Sequence, residues 1–135
     1  MKVNGRLSAL ALLGGIALAL AALPASAQQK ACDSNADGMV DATEAATCDE
    51  QRFDEATGGQ EEMTQEQFGA ARPAALGGGV EVFGQADADA SGSISREEWM
   101  NWREQKFGEA TQGTGGRMPL AEYEVWTRPI EPPAQ

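Results

Sequence analysis

The stretch Asp33-Ser34-Asn35-Ala36-Asp37-Gly38-Met39-Val40-Asp41-Ala42-Thr43-Glu44 decides how this chain is read. Oxygen-bearing side chains stand at its positions 1, 3, 5, 9 and 12, with a glycine at 6 and a β-branched residue at 8. The pattern returns 54 residues later as Asp87-Ala88-Asp89-Ala90-Ser91-Gly92-Ser93-Ile94-Ser95-Arg96-Glu97-Glu98. Alternate oxygen donors on a tightly wound loop can turn toward one point, and a hard cation needs about six to eight oxygens around it. The same offset of 54 joins Glu50-Gln51-Arg52-Phe53-Asp54-Glu55-Ala56-Thr57 to Glu104-Gln105-Lys106-Phe107-Gly108-Glu109-Ala110-Thr111, identical at six of eight positions. The chain is a duplicated unit.

Both stretches satisfy D-x-[DN]-x-[DNS]-G-x5-E, and each resembles the EF-hand calcium loop. The resemblance implies an all-α fold of two EF-hand pairs, helix-loop-helix units with short β pairing between loops, and two calcium ions. As ligands it implies Asp33, Asn35, Asp37, the Met39 carbonyl, Asp41 through a water, and Glu44. In the second copy the counterparts are Asp87, Asp89, Ser91, the Ser93 carbonyl, Ser95 through a water, and Glu98. Glu44 and Glu98 would reach back from the following helix with two oxygens each. Gly38 and Gly92 allow the sharp bend that a Cβ would obstruct. Asp41-x-x-Glu44 and Ser95-x-x-Glu98 are also N-capping patterns, so ligation and helix initiation share residues. Val40 and Ile94 are expected to face away from the ion and pair, strand-like, with a neighbouring loop.

Each strong loop is followed by Phe-x-Glu-Ala-Thr and then a glycine-rich turn. Counted from Thr111, Gly116 falls at position 6, Met118 at 8 and Glu122 at 12. After Thr57 the matching stretch is one residue shorter and ends in the capping box Thr64-x-x-Gln67. Both lack carboxylates at positions 1, 3 and 5, so loops 2 and 4 are expected to be degenerate partners and loops 1 and 3 functional. The expected organisation is a first EF-hand pair over 28–72, a linker over 73–79, a second pair over 80–127 and a tail over 128–135. Few residues precede the first loop, so its entering helix is expected to be truncated or absent.

Residues 1–27 are set apart as a signal peptide. Lys2 and Arg6 form a basic start, Leu7 to Leu23 is a nearly unbroken apolar run, and Pro24-Ala25-Ser26-Ala27 offers a small-residue cleavage site. The alternative is a membrane anchor, for which seventeen residues including Gly14 and Gly15 are short. Nothing later is apolar enough to span a bilayer. Export to a bacterial periplasm or to the outside is therefore expected. Cleavage removes two bases and no acid, so the net charge moves from -11 to -13, with 8 bases against 21 acids. So acidic a chain lacks the basic face that nucleic acid requires. In an oxidising compartment Cys32 and Cys48 are expected to pair, two free thiols being the alternative. Such a bridge would tie the first loop's entrance to its exiting helix and could stand in for the truncated entering helix.

The 135-residue chain contains no histidine, and no nucleophile with a base appears. Acid pairs such as Glu61-Glu62 and Glu97-Glu98 have no orienting partner, so no catalysis is expected. Calcium buffering or sensing is the expected function. The rival is a calcium-stiffened structural or adhesion module that docks a protein through its second half, where Trp99, Trp102, Phe107, Tyr123 and Trp126 cluster. Those rings and Met39, Met63, Met100 and Met118 serve either as core or as a groove for a protein or peptide target. All three tryptophans fall in the second half and are expected to report on the Asp87 loop.

Overall fold

A computed structural model describes residues 32–129. The expected signal peptide, the residues ahead of Cys32 and the tail from residue 130 onward lie outside the described residues. Among the described residues, five α-helices and four short strands follow in the order β1 (Met39–Asp41), α1 (Ala42–Thr57), β2 (Glu62–Met63), α2 (Gln65–Ala71), α3 (Val80–Ala86), β3 (Ile94–Ser95), α4 (Arg96–Ala110), β4 (Arg117–Pro119) and α5 (Leu120–Trp126). No described helix is long and apolar enough to cross a membrane.

Helix starts follow from the capping residues. Asp41 accepts from the backbone N–H groups of Thr43 and Glu44, while Glu44 accepts from the Asp41 N–H. Ser95 with Glu98, and Thr64 with Gln67, repeat this reciprocal arrangement. Gly58 ends α1 in the left-handed region, at φ 65°, where other residues are strained. Thr57 and Thr111, last in the duplicated segment, are buried and donate from Oγ1 to the carbonyls of Phe53 and Phe107 at 2.9 and 2.8 Å. The shared Phe-x-x-x-Thr spacing thus closes each helix and turns the hydroxyl away from the loop beyond it.

The strands correct the expected organisation. β1 pairs antiparallel with β4, setting Val40 opposite Met118, and β2 pairs with β3, setting Met63 opposite Ile94. Loop 1 is therefore joined to loop 4 and loop 2 to loop 3, not each loop to its nearest neighbour along the chain. The division into a pair over 28–72 and a pair over 80–127 does not describe this packing. The physical cause lies in the two long helices, whose halves belong to different cores. Phe53 of α1 joins Met63, Phe68, Val82, Phe83, Ile94, Trp99 and Trp102 in one core, whereas Ala45 and Cys48 of the same helix join Val40, Phe107, Met118 and Tyr123 in the other. Such rings and aliphatic side chains each contribute about 1.5–3 kcal/mol on full burial. Consecutive pairing would leave one half of each helix without its partners.

The expected linker is partly packed as well. Pro73 is buried and bridges to Pro129, residues Ala74–Leu76 form a 3₁₀ turn, and Leu76 packs on the first core. The start of the tail is held too, since Ala74 N–H donates to the Arg128 carbonyl at 2.9 Å.

Where the helices α1 and α4 pack together, the eighth residue of each is charged and buried. Arg103 is 0% exposed and donates from Nε to Asp49 Oδ1 at 2.8 Å, with Nη2 also 2.8 Å from that oxygen. Trp99 Nε1 donates to the Asp49 carbonyl, and the guanidinium lies over the Trp126 ring, 4.6 Å from its centroid. Burial pushes the Asp49 carboxyl up, and the charge and hydrogen bond of Arg103 oppose it.

Trp99 and Trp102 sit beside loop 3 in the first core, but Trp126 packs on the core of loops 1 and 4. The expectation that all three tryptophans report on the Asp87 loop is thus corrected. Trp99, Trp102, Phe107 and Tyr123 are no more than 3% exposed, so these rings form core in this structure.

Candidate metal centre

Both acidic loops are wound by the same hydrogen bonds. The Asp33 carboxylate accepts from the N–H groups of Asp37 and Gly38 at 3.0 and 2.9 Å; Asp87 accepts from Ser91 and Gly92, each at 2.9 Å. One aspartate therefore pins the bend at position 6, where Gly38 and Gly92 take φ values of 80° and 90°. At position 3, Asn35 Oδ1 and Asp89 Oδ1 accept from the N–H of residue 5 at 2.9 and 3.0 Å. Position 12 closes the loop: Glu44 accepts from the Asn35 N–H at 3.2 Å and Glu98 from the Asp89 N–H at 3.1 Å. Position 4 is strained, because Ala36 and Ala90 hold φ values of 57° and 56°. That strain has no signal in the sequence, where alanine reads as neutral.

The loops differ in what they bring together. One carboxylate oxygen from each of Asp87, Asp89 and Glu98 lies within 4.8 Å of the others, and this is the acidic cluster of that kind among the described residues. Ser91 stands within the same loop, its Oγ 3.0 Å from the Ser93 carbonyl, and Ser95 caps the following helix. All of these donors are oxygens, which suits a hard cation such as calcium. Hydrogen bonds from the Ser91 hydroxyl and N–H hold the Asp89 carboxyl below the usual range. It stays charged at neutral pH.

In loop 1, where position 3 is the amide Asn35, no three acids converge in this way among the described residues. Glu44 Oε1 accepts from both the N–H and the hydroxyl of Ser34, at 2.9 and 3.0 Å, and Asp37 accepts from Arg117 of β4. The Met39 N–H and then Arg117 keep the Asp37 carboxyl below the usual range. Asn35 contributes a neutral oxygen, and Asp41 is engaged in capping. Sequence reasoning missed Ser34 and Arg117. The first follows Asp33 and carries no motif; the second lies eighty residues from Asp37, in the carboxylate-poor fourth loop, and becomes a neighbour only through the β1–β4 ladder.

Cys32 and Cys48 form a disulfide, with Cα atoms 5.5 Å apart, that ties the residue before Asp33 to the second turn of α1. Both cysteines belong to the second core. Loops 2 and 4 begin at Thr57 and Thr111, whose hydroxyls are committed to helix carbonyls, and bring no three acids together among the described residues.

The family model described as "EF hand" matches residues 80–101, which span α3, the Asp87–Glu98 loop and the first turns of α4. No curated protein and no solved structure matches the chain. The match, the closed hydrogen-bond scheme of the loop and its three converging carboxylates support an EF-hand protein with calcium as the implied ion.

Proposed function

We propose that this is an exported calcium-binding protein that holds one ion in the Asp33–Glu44 loop and one in the Asp87–Glu98 loop, acts as a calcium buffer or sensor, and has no catalytic role. The observation that carries the proposal is the convergence of Asp87, Asp89 and Glu98 within a loop wound like its duplicate. In the third loop Asp87, Asp89, Ser91, the Ser93 carbonyl and Glu98 would hold the ion, with Ser95 acting through a water. In the first loop Asp33, Asn35, Asp37, the Met39 carbonyl, Asp41 and Glu44 take those roles. Calcium supplies two positive charges at a site where carboxylates otherwise repel one another. Loops 2 and 4 hold no ion on this reading and complete the β ladders. The disulfide supports the exported setting, because such bonds persist in oxidising compartments.

The test is a calcium titration that follows tryptophan fluorescence and a hydrophobic dye together. Dye uptake that rises with calcium supports a sensor that opens its core, and a fluorescence change without dye uptake supports a buffer. Silence in both signals, with calorimetric heat absent, overturns calcium binding.

A further inference from the structure

Each acidic loop is paired with a loop lacking ligands, and the duplication makes the two partnerships comparable residue by residue. Met118 faces Val40 and Met63 faces Ile94, so the residues just before those methionines, Arg117 and Glu62, fill the same place in the repeat. Arg117 lies opposite Asp41 and Glu62 opposite Ser95, which are position 9 of loops 1 and 3. Their charges are opposite. Arg117 donates to the carboxylate of Asp37, the side chain at position 5 of loop 1. Glu62 Oε2 accepts from Ser93 Oγ at 3.0 Å, at position 7 of loop 3. Loop 1 therefore carries a built-in cation on one of its donor carboxylates, while loop 3 has an additional carboxylate at its rim.

We infer that these two partner-loop residues set the order in which the loops take calcium: Arg117 weakens loop 1 by competing for Asp37, Glu62 strengthens loop 3, and loop 3 fills first. The inference rests on the proposal that both loops bind calcium. It reverses the order that acid count predicts, since loop 1 has four carboxylates at ligand positions (Asp33, Asp37, Asp41, Glu44) and loop 3 has three (Asp87, Asp89, Glu98). An exposed pair of single charges is worth a factor of about 1.4 to 5. Against a divalent ion the Coulomb energy doubles, which squares that factor, so Arg117 is expected to shift loop 1 by about two- to 25-fold. Glu62 reaches its loop through a serine rather than a ligand carboxylate, and a shift of about two- to fivefold is expected there.

The experiment is calorimetric calcium titration of the full exported chain with one loop disabled at a time. Glu98→Gln leaves loop 1 to be measured, and Glu44→Gln leaves loop 3. In the first background Arg117→Gln is expected to tighten binding about two- to 25-fold at low salt, and Arg117→Lys, which keeps the charge, to change it less than about twofold. The gain shrinks in about 0.5 M KCl, where screening is strong. In the second background Glu62→Gln is expected to weaken binding about two- to fivefold. Should Arg117→Gln leave the affinity of loop 1 unchanged or lower it, the tuning role is wrong while calcium binding stands. Should neither background bind calcium with Arg117 and Glu62 intact, calcium binding itself fails, and the tuning role with it.

Discussion

The buried Asp49–Arg103 pair offers a quantitative prediction about what holds the two halves of the chain together. Arg103 is fully buried and Asp49 is 2% exposed, so neither charge can recover water if the other is removed. Replacing Asp49 by leucine leaves a buried guanidinium without its counter-ion, which costs about 3–5 kcal/mol. For a domain of about this size 3 kcal/mol lowers the thermal midpoint by roughly 12–24 °C. Arg103→Met is expected to cost less, about 2–3 kcal/mol, because burial already pushes the Asp49 carboxyl up and a stranded carboxyl can take a proton. The double variant Asp49→Leu/Arg103→Met removes both charges and should come within about 1 kcal/mol of the parent protein. Urea unfolding followed by circular dichroism in excess chelator measures all four proteins. If the double variant is as unstable as the two single losses summed, the charges are not acting on one another, and the reasoning is refuted.

Three further outcomes follow from particular contacts. Tyr123 is the sole tyrosine, and burial of its hydroxyl, with the Asp49 charge beside it, pushes its pKa from about 10 up to about 12. The fold thus favours the neutral phenol; that stabilisation is present below about pH 10 and is lost as pH rises from about 10 to about 12, and ultraviolet titration at alkaline pH should show ionisation only at the upper end. A phenol titrating near pH 10 in the folded protein would contradict this. Cys32→Ser/Cys48→Ser should lose about 2–5 kcal/mol of stability and weaken calcium binding at loop 1 more than at loop 3. Equal losses at both loops, or none, would remove the disulfide's role as the anchor of loop 1. Trp126 packs on the core of loops 1 and 4, so Trp126→Phe should erase the fluorescence change that accompanies filling of loop 1 and preserve the one from loop 3; retention of both signals would place the reporter elsewhere.

The calcium-type loops were legible in the sequence because their chemistry is local. Asp87, Asp89, Gly92 and Glu98 act within twelve consecutive residues, and the hydrogen bonds that wind them span nine positions or fewer. Helix starts at Asp41, Thr64 and Ser95 were legible for the same reason. The partnership of the loops was not. Val40 and Ile94 could each meet any apolar residue at position 8 of another loop, and Met63 and Met118 are chemically identical candidates. What selects between them is the division of α1 and α4 between two cores, a property of the assembled fold. Arg103 was hidden likewise, since an arginine in a polar helix reads as a solvated face until Asp49, fifty-four residues earlier, is placed against it.

Calcium stoichiometry tests the central claim most directly. Equilibrium dialysis of the parent protein beside Glu98→Gln and Glu44→Gln should give two bound ions for the parent and one for each variant. Two ions retained after Glu98→Gln, or none bound by the parent protein, would contradict the assignment of the Asp87–Glu98 and Asp33–Glu44 loops as calcium sites.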